Sequence, residues 1–324
     1  MNLYPLKFKP IPKYRIWGGD KLNSVLNKNF NQKQIGESWE ISDVNSDQTL
    51  VSNGFLKGKS LKEIISKYKS NLVGNNSYEK FGNNFPLLIK FIDAKLPLSI
   101  QVHPHDKIAK ERHDSFGKNE MWYVMDADPG SEIIVGFKKN ITKKKFIEKS
   151  QSEYILDVLN KEKTKKGDAY YIPTGRVHAI GAGILLAEIQ QTSDITYRIH
   201  DYNRIDKKTG ETRKLHNDLA TDVIDFTVYN NYKTFYKNNL NKNNRLIHTD
   251  YFKSNFIRIN HSIVMNYSKM DSFIVYICTS GQLKIKSGDE LYKLSKGETI
   301  LIPSQIKQLE IIPSKQSEII EVHM

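Results

Sequence analysis

The amino-acid sequence predicts a mostly β protein built from two barrel modules, with α-helices at the periphery. Short segments of alternating apolar and polar residues dominate the chain, and Gly, Pro, Asp and Asn bound them, which is typical of β-sandwiches and barrels. A seven-residue pattern made of one strand between a Gly and a Pro occurs in both halves of the chain. With 324 residues, the chain is long enough to bury one large core or two moderate ones.

The strands of the first module are predicted from period-two alternation of apolar residues. They lie at residues 86–93, 98–103, 121–125, 132–135, 169–172 and 185–190. Apolar residues at helical spacing predict peripheral helices at about 60–80, 142–160 and 215–226. The first of these begins with Ser60, and Glu63 follows three residues later, which is the pattern of a capping box.

Two domains are predicted, because a polar segment at residues 229–244 separates two strand-rich regions. We expect them to span residues 1–238 and 239–324. The repeated pattern lies on both sides of this boundary, as Gly167-Asp-Ala-Tyr-Tyr-Ile-Pro173 and as Gly297-Glu-Thr-Ile-Leu-Ile-Pro303. Two related modules explain the repeat economically, and coincidence is the alternative for so short a match.

The net charge of +13 raises the question of a nucleic-acid partner, because a basic surface attracts phosphate backbones. Only eight of the 49 basic residues are Arg, and the many Lys are spread along the whole chain. Neither a recognition-helix pattern nor a set of stacking aromatic residues accompanies them. We therefore predict solvated lysines and no nucleic-acid partner.

A cytoplasmic location is predicted from the N-terminal residues and the cysteine content. Residues 1–10 contain Pro and Lys where a secretory signal needs an apolar run. No segment approaches the roughly 18 apolar residues of a membrane span. Cys278 is the single cysteine and lies in an apolar run, so it forms no intramolecular disulfide and is expected to be packed. We also expect no membrane contact and a monomer.

One motif points to chemistry: the first copy of the repeat continues to give Gly167-x5-Pro173-x-Gly175-x2-His178. This resembles the second sequence motif of cupin barrels, in which the turn delivers a histidine to the barrel interior as a metal ligand. The first cupin motif has a His-x-His pair followed by Glu. The matching place here reads Gln101-Val-His103, with Glu120 downstream. The second module has no histidine after its Pro303, so we expect it to bind no metal.

Strand alternation makes this ligand set plausible, because Ser99, Gln101 and His103 are two residues apart and project from one face of a strand. With Glu120 and His178, they offer two imidazoles, one carboxylate and one amide oxygen. Such a set suits Zn²⁺, and Mn²⁺ or Fe²⁺ are alternatives. Taken singly, either histidine is equally well explained as a hydrogen-bonded core residue.

The resemblance becomes specific over residues 4–204, which are similar to the type I mannose-6-phosphate isomerases. Seven segments occur in that family's order: Trp17-Gly-Gly19, Ile35-Gly-Glu-Ser-Trp-Glu40, Phe85-Pro-Leu-Leu-Ile-Lys90, Leu98-Ser-Ile-Gln-Val-His-Pro104, Lys118-Asn-Glu120 with Trp122-Tyr123, Pro173-Thr-Gly-Arg-Val-His178 and Ser193-Asp-Ile-Thr-Tyr-Arg198. Two positions depart from the family pattern: His105 replaces an acidic residue and His200 replaces an aromatic one.

The resemblance implies a zinc-dependent enzyme that interconverts mannose 6-phosphate and fructose 6-phosphate, with one Zn²⁺ per chain and a sugar phosphate as its small-molecule partner. It places the metal ligands on Gln101, His103, Glu120 and His178. It also places the active-site arginine on Arg198 and the lining of the substrate pocket on Lys90, Ser99, Lys118 and Glu188. The domain at residues 1–238 would then be the catalytic one.

These side chains suit an aldose–ketose interconversion, which moves protons through an enediol without net redox change. Arg198 is predicted to be essential, either polarising the enediolate or holding phosphate through two hydrogen bonds. The alternative is a structural ion pair with Asp201 or Asp194. By strand alternation, Arg198 should share a face with Thr196 and His200.

Roles for the other pocket residues are also predicted. Lys118 lies two residues before Glu120 and should face the same cavity, unless it is a solvated loop lysine. Glu188 is the candidate proton carrier, with a structural carboxylate as the alternative. Lys90 and Ser99 are candidates for binding the phosphate side of the substrate.

Two other classes of protein remain open on the sequence alone. A cupin dioxygenase would use Fe²⁺ and O₂ on a comparable barrel. The amide of Gln101, where histidine is usual, and the cations Lys90, Lys118 and Arg198 argue against that class, because they suit an anionic substrate. A sugar-binding module without catalysis is the third possibility, and the second barrel is its best candidate.

Overall fold

Short strands dominate the computed structural model, which describes residues 2–150 and 152–324. The strands of the first part of the chain are β1 (Phe8–Lys9), β2 (Ile11–Gly19), β3 (Ile35–Ile41), β4 (Asp43–Val44), β5 (Asp47–Gln48), β6 (Leu50–Val51), β7 (Leu87–Ala94), β8 (Ile100–Val102), β9 (Glu120–Ala127), β10 (Glu132–Phe137), β11 (Leu159–Lys163), β12 (Ala169–Ile172), β13 (His178–Ile180), β14 (Ile184–Gln191), β15 (Tyr197–His200) and β16 (Lys233–Thr234). The remaining strands are β17 (Asn244–His248), β18 (Lys253–Ile259), β19 (Ile263–Asn266), β20 (Ile274–Ser280), β21 (Gln282–Ser287), β22 (Glu290–Ser295), β23 (Thr299–Ile302), β24 (Gln308–Pro313) and β25 (Ser317–His323). The helices are α1 (Lys21–Ser24), α2 (Leu61–Tyr68), α3 (Ser70–Val73), α4 (Asn75–Phe81), α5 (Asp106–His113), α6 (Lys143–Ser150) and α7 (Asn217–Thr221), with a 3₁₀ turn at Glu153–Asp157.

The first module consists of two antiparallel sheets packed face to face. The larger has the strand order β16-β12-β9-β14-β7-β2-β3, and the smaller has the order β11-β10-β13-β8-β15. Buried side chains from both sheets, among them Trp122 and Ile180, form one apolar cluster between them. Because successive side chains in a strand alternate between its faces, the other side chains of β8 and β13 pack on a second cluster outside the smaller sheet. The predicted mostly β architecture is confirmed.

The second module repeats this arrangement on a smaller scale. A sheet of order β17-β18-β25-β20-β23 faces a sheet of order β19-β24-β21-β22 across a common apolar cluster. Cys278 is fully buried in that cluster, and burial raises the pKa of its thiol to about 12. The prediction of a packed, unreactive cysteine is therefore confirmed.

The two modules share a large apolar core. Tyr123 of β9 stacks on Phe256 of β18 with ring centroids 5.7 Å apart. Near the chain start, Leu6 and Leu301 exchange two backbone hydrogen bonds of 2.8 and 2.9 Å. The N-terminal segment thus belongs structurally to the second module as much as to the first.

The helix predicted at residues 60–80 begins where expected, but the stretch is divided into shorter helices. Ser60 accepts a hydrogen bond from the Glu63 amide, and the Glu63 carboxylate accepts one from the Ser60 amide, so the capping box is present. The stretch forms three short helices, α2 to α4, because Lys69 and Gly74 have φ angles of +49° and +90°. Positive φ interrupts a right-handed helix.

Both other helical predictions are too long. Helix α6 ends at Ser150, the 3₁₀ turn follows, and β11 begins at Leu159, while residue 151 of the predicted helix lies outside the described residues. Helix α7 covers only the middle of the prediction for 215–226, because the Asp225 amide bonds the Gly175 carbonyl at 2.8 Å instead of continuing the helix. None of the helices in the described ranges has the length and apolar character needed to cross a membrane.

Contact between the modules is closest at the start of α4. The Asp271 carboxylate of the second module accepts hydrogen bonds from the Asn75 and Asn76 amides, at 2.8 and 2.9 Å. A Cβ atom on Gly74 would lie 2.5 Å from the Asp271 carbonyl oxygen, so only glycine allows this approach. Asp271 therefore caps a helix of the other module.

We predict that Asp271→Ala lowers the free energy of unfolding by about 1 kcal/mol, because two amides at a helix start lose their acceptor. Urea unfolding followed by circular dichroism measures the change. Asp289→Ala, in an exposed turn between β21 and β22, is the control and should change stability by less than about 0.5 kcal/mol. Equal stability of the two variants would contradict the capping role.

Candidate metal centre and active-site pocket

Three buried side chains in the first module place ligand atoms together. One nitrogen of His103, one oxygen of Glu120 and one nitrogen of His178 all lie within 4.8 Å of one another. The shortest carboxylate contacts are 3.4 Å from Glu120 Oε1 to His178 Nε2 and 3.6 Å from Glu120 Oε2 to His103 Nε2. This group has the composition and spacing of a divalent-metal site.

Strand pairing positions the group. His178 of β13 lies directly opposite Gln101 of β8, and Gln101 in turn lies opposite Arg198 of β15. These three side chains therefore form a row across the smaller sheet. His103 follows β8, and its carbonyl accepts a hydrogen bond of 2.9 Å from the Gly175 amide in the turn that precedes His178. The turn and the end of β8 are thus tied together.

Each histidine is oriented by a backbone carbonyl. Nδ1 of His103 lies 2.8 Å from the Ile195 oxygen, and Nδ1 of His178 lies 2.8 Å from the Arg176 oxygen. Because a carbonyl only accepts, each Nδ1 carries the proton and each Nε2 keeps its lone pair as an acceptor. Lys118 Nζ lies 3.1 Å from Nε2 of His103. Burial lowers the pKa of His178 to about 3 and that of His103 well below its usual range, so both rings are neutral ligands at pH 7.

Glu120 provides the clearest sign that a cation fits. Its Oε1 is buried and has no hydrogen-bond partner among the described residues, while its Oε2 accepts a bond of 2.6 Å from Lys118 Nζ. Burial raises the pKa of Glu120 to about 7. An unpartnered carboxylate oxygen beside two imidazole lone pairs would be costly without a positive partner, which a divalent ion provides.

Gln101, the fourth predicted ligand, lies beside this group. Its amide lies 3.2 Å from His178 Nε2. The two ends of an amide are interchangeable in shape, so rotation by a half turn would point the oxygen at the centre. The donors would then be two imidazoles, a carboxylate and an amide oxygen, and the role of Gln101 as a ligand stays a prediction.

A pocket of about 420 Å³ opens beside this group. Ionisable side chains from several strands and loops line it, namely Arg15, Glu37, Lys90, Lys118, Glu188, Asp194, Arg198, Asp206 and Arg213. Ser99 and Gln101 also line it. The structure therefore brings all nine predicted site residues together, six in the pocket wall and three in the adjoining metal-capable group.

Most of the charges in the pocket are paired. Lys90 Nζ lies 3.1 Å from Glu188 and 2.7 Å from the Gln190 amide oxygen. Glu188 also accepts a bond of 2.8 Å from the Trp122 indole. Burial would raise the pKa of Glu188, but Lys90 and Lys118 outweigh burial and lower it, so this carboxylate is ionised at pH 7.

Arg198 is the exception among the cations of the pocket, because no carboxylate pairs with it among the described residues. Its guanidinium donates to Ser99 Oγ at 3.3 Å and to the Lys214 carbonyl at 2.9 Å. Asp201 instead binds Arg213, at 2.6 and 2.8 Å. Burial and, to a smaller extent, the nearby Arg213 lower the pKa of Arg198 to about 10. The alternative of a structural ion pair for Arg198 is wrong.

One expectation about this strand is also wrong. The sequence predicted that Arg198 and His200 share a face, but the pairing of β15 with β8 shifts between them. A bulge of this kind reverses the direction of the next side chain. Thr196 and Arg198 line the pocket, whereas His200 is buried away from it and packs against Tyr202 at 5.0 Å.

Sequence reasoning did not assign five charged residues of the pocket lining to the site: Arg15, Glu37, Asp194, Asp206 and Arg213. Arg15 Nε and Nη2 each bond one oxygen of Glu37 at 2.9 Å, and the Trp39 indole donates to Glu37 at 2.7 Å. Glu37 and Trp39 alternate within β3, which is a signal that could have identified them. Arg213 lies in an irregular loop, where no periodic pattern indicates which way a side chain points.

Comparison with known proteins agrees with this fold. A model described as phosphomannose isomerase type I, catalytic domain, matches residues 6–155, and a model described as mannose-6-phosphate isomerase, cupin domain, matches residues 241–324. The chain is therefore a cupin-type protein with a metal-capable pocket.

Full-length relatives identify the family. Mannose-6-phosphate isomerase ManA from Bacillus subtilis is 34% identical over 96% of both chains, and the mannose-6-phosphate isomerase from Streptococcus mutans is 33% identical over 94% of this chain and 96% of its own. The chain belongs to the type I mannose-6-phosphate isomerase family, whose members are aldose–ketose isomerases.

Solved structures extend the likeness to three dimensions. The mannose 6-phosphate isomerase from Bacillus subtilis superposes with a TM-score of 0.90 at 30% identity, covering 99% of this chain and all of its own. A mannosephosphate isomerase structure from Archaeoglobus fulgidus has a TM-score of 0.79 at 23% identity, covering 99% and 98% of the two chains, and supports the fold alone. The full-length relatives and the Bacillus subtilis structure favour an isomerase over the dioxygenase alternative.

The buried ion pair of Arg15 and Glu37 predicts a pH-dependent stability. Burial would raise the pKa of Glu37, but Arg15 and Lys90 outweigh burial and hold it well below its usual range. The stabilisation by ionised Glu37 is therefore complete above the ordinary glutamate pKa of about 4.3, and it is lost as the pH falls below that value toward the folded-state pKa.

We expect Glu37→Gln to lower the free energy of unfolding by about 2 kcal/mol at pH 7, and by about 1 kcal/mol less than that at pH 3.5. Urea unfolding at both pH values measures this difference. Exposed Glu79→Gln on α4 is the control and should show no such change. A cost of Glu37→Gln that is the same at both pH values would contradict the ionised state of this carboxylate.

Proposed function

We propose that this chain is a zinc-dependent mannose-6-phosphate isomerase that interconverts mannose 6-phosphate and fructose 6-phosphate through an enediol. The observation that carries the proposal is the joining of a metal-capable His103, Glu120 and His178 group to a pocket whose Arg198 has no carboxylate partner in the described part of the chain. An anionic sugar phosphate suits such a pocket.

Zn²⁺ is the proposed metal, with one ion per chain held by the three buried ligands and by Gln101. The mixed nitrogen and oxygen donors suit Zn²⁺, and the reaction needs no change of oxidation state. A bound divalent ion would supply Lewis-acid polarisation of the oxygens on the two reacting sugar carbons. Its ligands are already oriented by the Ile195 and Arg176 carbonyls.

The transfer of a proton between the two carbons is assigned to Glu188. Conversion of the aldose removes the proton on C2 and returns a proton to C1, while a second proton moves between the two oxygens. Ionised Glu188 lines the pocket and is held by Lys90 and Trp122, so one of its oxygens can accept the C2 proton and return it to C1. No redox partner is required.

The cationic side chains of the pocket are assigned to binding the oxygens of the substrate. Burial would lower the pKa of Lys118, but Glu120 and Glu188 outweigh burial and raise it, so Lys118 donates hydrogen bonds as a cation rather than acting as a base. Arg198 would stabilise the charge of the enediolate or hold the phosphate. Lys90 and Ser99 are assigned to substrate binding on the same wall of the pocket.

Several broader expectations stay predictions: the domain boundary between residues 238 and 239, a monomeric state, a cytoplasmic location and the absence of a metal from the second module. They are compatible with the isomerase proposal and independent of it. The sugar phosphate is the only partner that the mechanism requires.

For Arg198→Ala, we predict a fall in kcat/KM of about 10²- to 10³-fold with an unchanged zinc content, because the residue acts on the substrate and not on the metal. A coupled assay of fructose 6-phosphate formation and elemental analysis measure the two quantities. Arg245→Ala, on an exposed position of β17, is the control. Full activity of Arg198→Ala would refute its role, and an inactive, zinc-loaded wild type would refute the isomerase proposal.

Zinc retention by variants that lack one ligand should rank the ligands by how strongly each holds the metal. We expect His178→Ala to lose bound zinc during dialysis against a weak chelator, and Gln101→Ala to retain more of it, because a neutral amide is the weakest donor of the set. His248→Ala in the second module is the control, and circular dichroism checks that each variant is folded. Equal zinc retention by His178→Ala and the wild type would overturn the assigned site.

A further inference from the structure

Asn119 lies between two side chains of the proposed site and faces away from the pocket. Lys118 and Glu120, its neighbours in sequence, both reach the metal-capable group. Asn119 is only 2% exposed, and its side chain enters a hydrogen-bond network on the opposite side of the strand. The proposed mechanism does not use this network.

The network first joins Asn119 to Gln191, at the end of β14. The Gln191 side-chain oxygen accepts hydrogen bonds from the Asn119 backbone amide at 2.9 Å and from the Asn119 side-chain amide at 2.8 Å. The Gln191 backbone amide bonds the Asn119 carbonyl at 3.1 Å. Three hydrogen bonds between two residues leave the peptide units on both sides of Asn119 little freedom to rotate.

From Gln191 the network continues to the segment that follows His103. The Gln191 side-chain nitrogen donates to Asp106 Oδ1 at 3.0 Å, and the Gly117 amide donates to the same oxygen at 2.8 Å. Asp106 begins helix α5, three residues after His103. The start of this helix is thereby linked to the residues around Lys118.

Asn119 also reaches the segment that precedes His178. Its side-chain oxygen accepts a bond of 3.1 Å from the Thr174 amide, inside the turn at Pro173 to Gly175, and one of 3.2 Å from the Tyr171 hydroxyl. The side chain of Asn119 thus has hydrogen bonds to both its oxygen and its nitrogen. It contacts the segment before His178 directly, and it reaches the segment after His103 through Gln191 and Asp106.

We propose that Asn119, Gln191 and Asp106 form a positioning network that sets the relative places of His103, Glu120 and His178. The three ligands come from three separate segments, and these hydrogen bonds join all three segments on the side away from the pocket. This inference rests on the metal-dependent isomerase proposed above. Groups that orient metal ligands change metal affinity or activity by about 10- to 100-fold when they are removed.

Asn119→Leu tests the network, because leucine keeps the size of the side chain and removes its hydrogen bonds. We expect zinc release to excess chelator to be at least about tenfold faster than in the wild type, with an altered visible spectrum of the cobalt-substituted protein and a lower kcat. The spectrum reports ligand geometry, which a loss of overall stability does not change.

Asn244→Leu is the matched control. Asn244 is 3% exposed in the second module, and its side-chain nitrogen donates to the carbonyls of Asn239 and Lys242, both at 2.9 Å. This variant should lower the melting temperature to a similar degree while keeping wild-type zinc release and cobalt spectrum. If both variants speed zinc release equally, or if neither does, the positioning role is overturned.

A second pair of variants decides the question if Asn119→Leu does not fold. Gln191→Glu sets a carboxylate against Asp106, so zinc release should accelerate. Adding Asp106→Asn removes the repulsion, and the rate of zinc release should then return to within about threefold of the wild type. Failure of this rescue overturns the network. The activity of the wild type separately tests the isomerase proposal, since zinc release and the cobalt spectrum require no turnover.

Discussion

The pairing of β13, β8 and β15 is the constraint on which the site depends. This register places His178, Gln101 and Arg198 side by side. A slip of one residue would turn every one of these side chains to the other face. The register is held from behind, because Ile100 and Val102 of β8 are fully buried in the apolar cluster outside the smaller sheet. A polar centre on one face is therefore maintained by apolar packing on the other.

Electrostatic balance is the second constraint on the pocket. Removing a charge from water is costly unless an opposite charge accompanies it, and the pocket follows this rule with the pairs Lys90–Glu188 and Arg15–Glu37. Arg198 departs from the rule and makes hydrogen bonds only to Ser99 and to a backbone carbonyl. Under the proposed function, this cation would meet the anionic group of the substrate.

Features with a regular period were predictable from the sequence. The predicted ligands Gln101 and His103, on β8 and directly after it, follow a period of two residues, and so do the strands around them. The turn before His178 has a recognisable pattern of Gly and Pro. Arg213 was missed because its loop has no period, and His200 was misplaced because a bulge breaks the period locally. Helix α5 was missed for a related reason, since only Ala109 is buried along it and no apolar stripe marks it.

Helix lengths were overestimated where a long-range contact ends the helix. Asp225 leaves helical geometry because its amide bonds Gly175, a partner fifty residues earlier in the chain. The network around Asn119 is of the same kind, because its contacts with Gln191 and Thr174 arise only when distant strands meet. Such contacts contribute no local pattern, so they become visible only in the folded chain.

The pairing of Leu6 with Leu301 has a consequence for the order of synthesis. During synthesis, the N-terminal segment lacks its backbone partner until β23 of the second module has been made. Until then, the apolar face of the first module that receives Phe256 and Val322 has nothing to cover it. A chain that has completed the first module but not the second therefore exposes a large apolar surface, and such a surface makes an incomplete chain prone to aggregation.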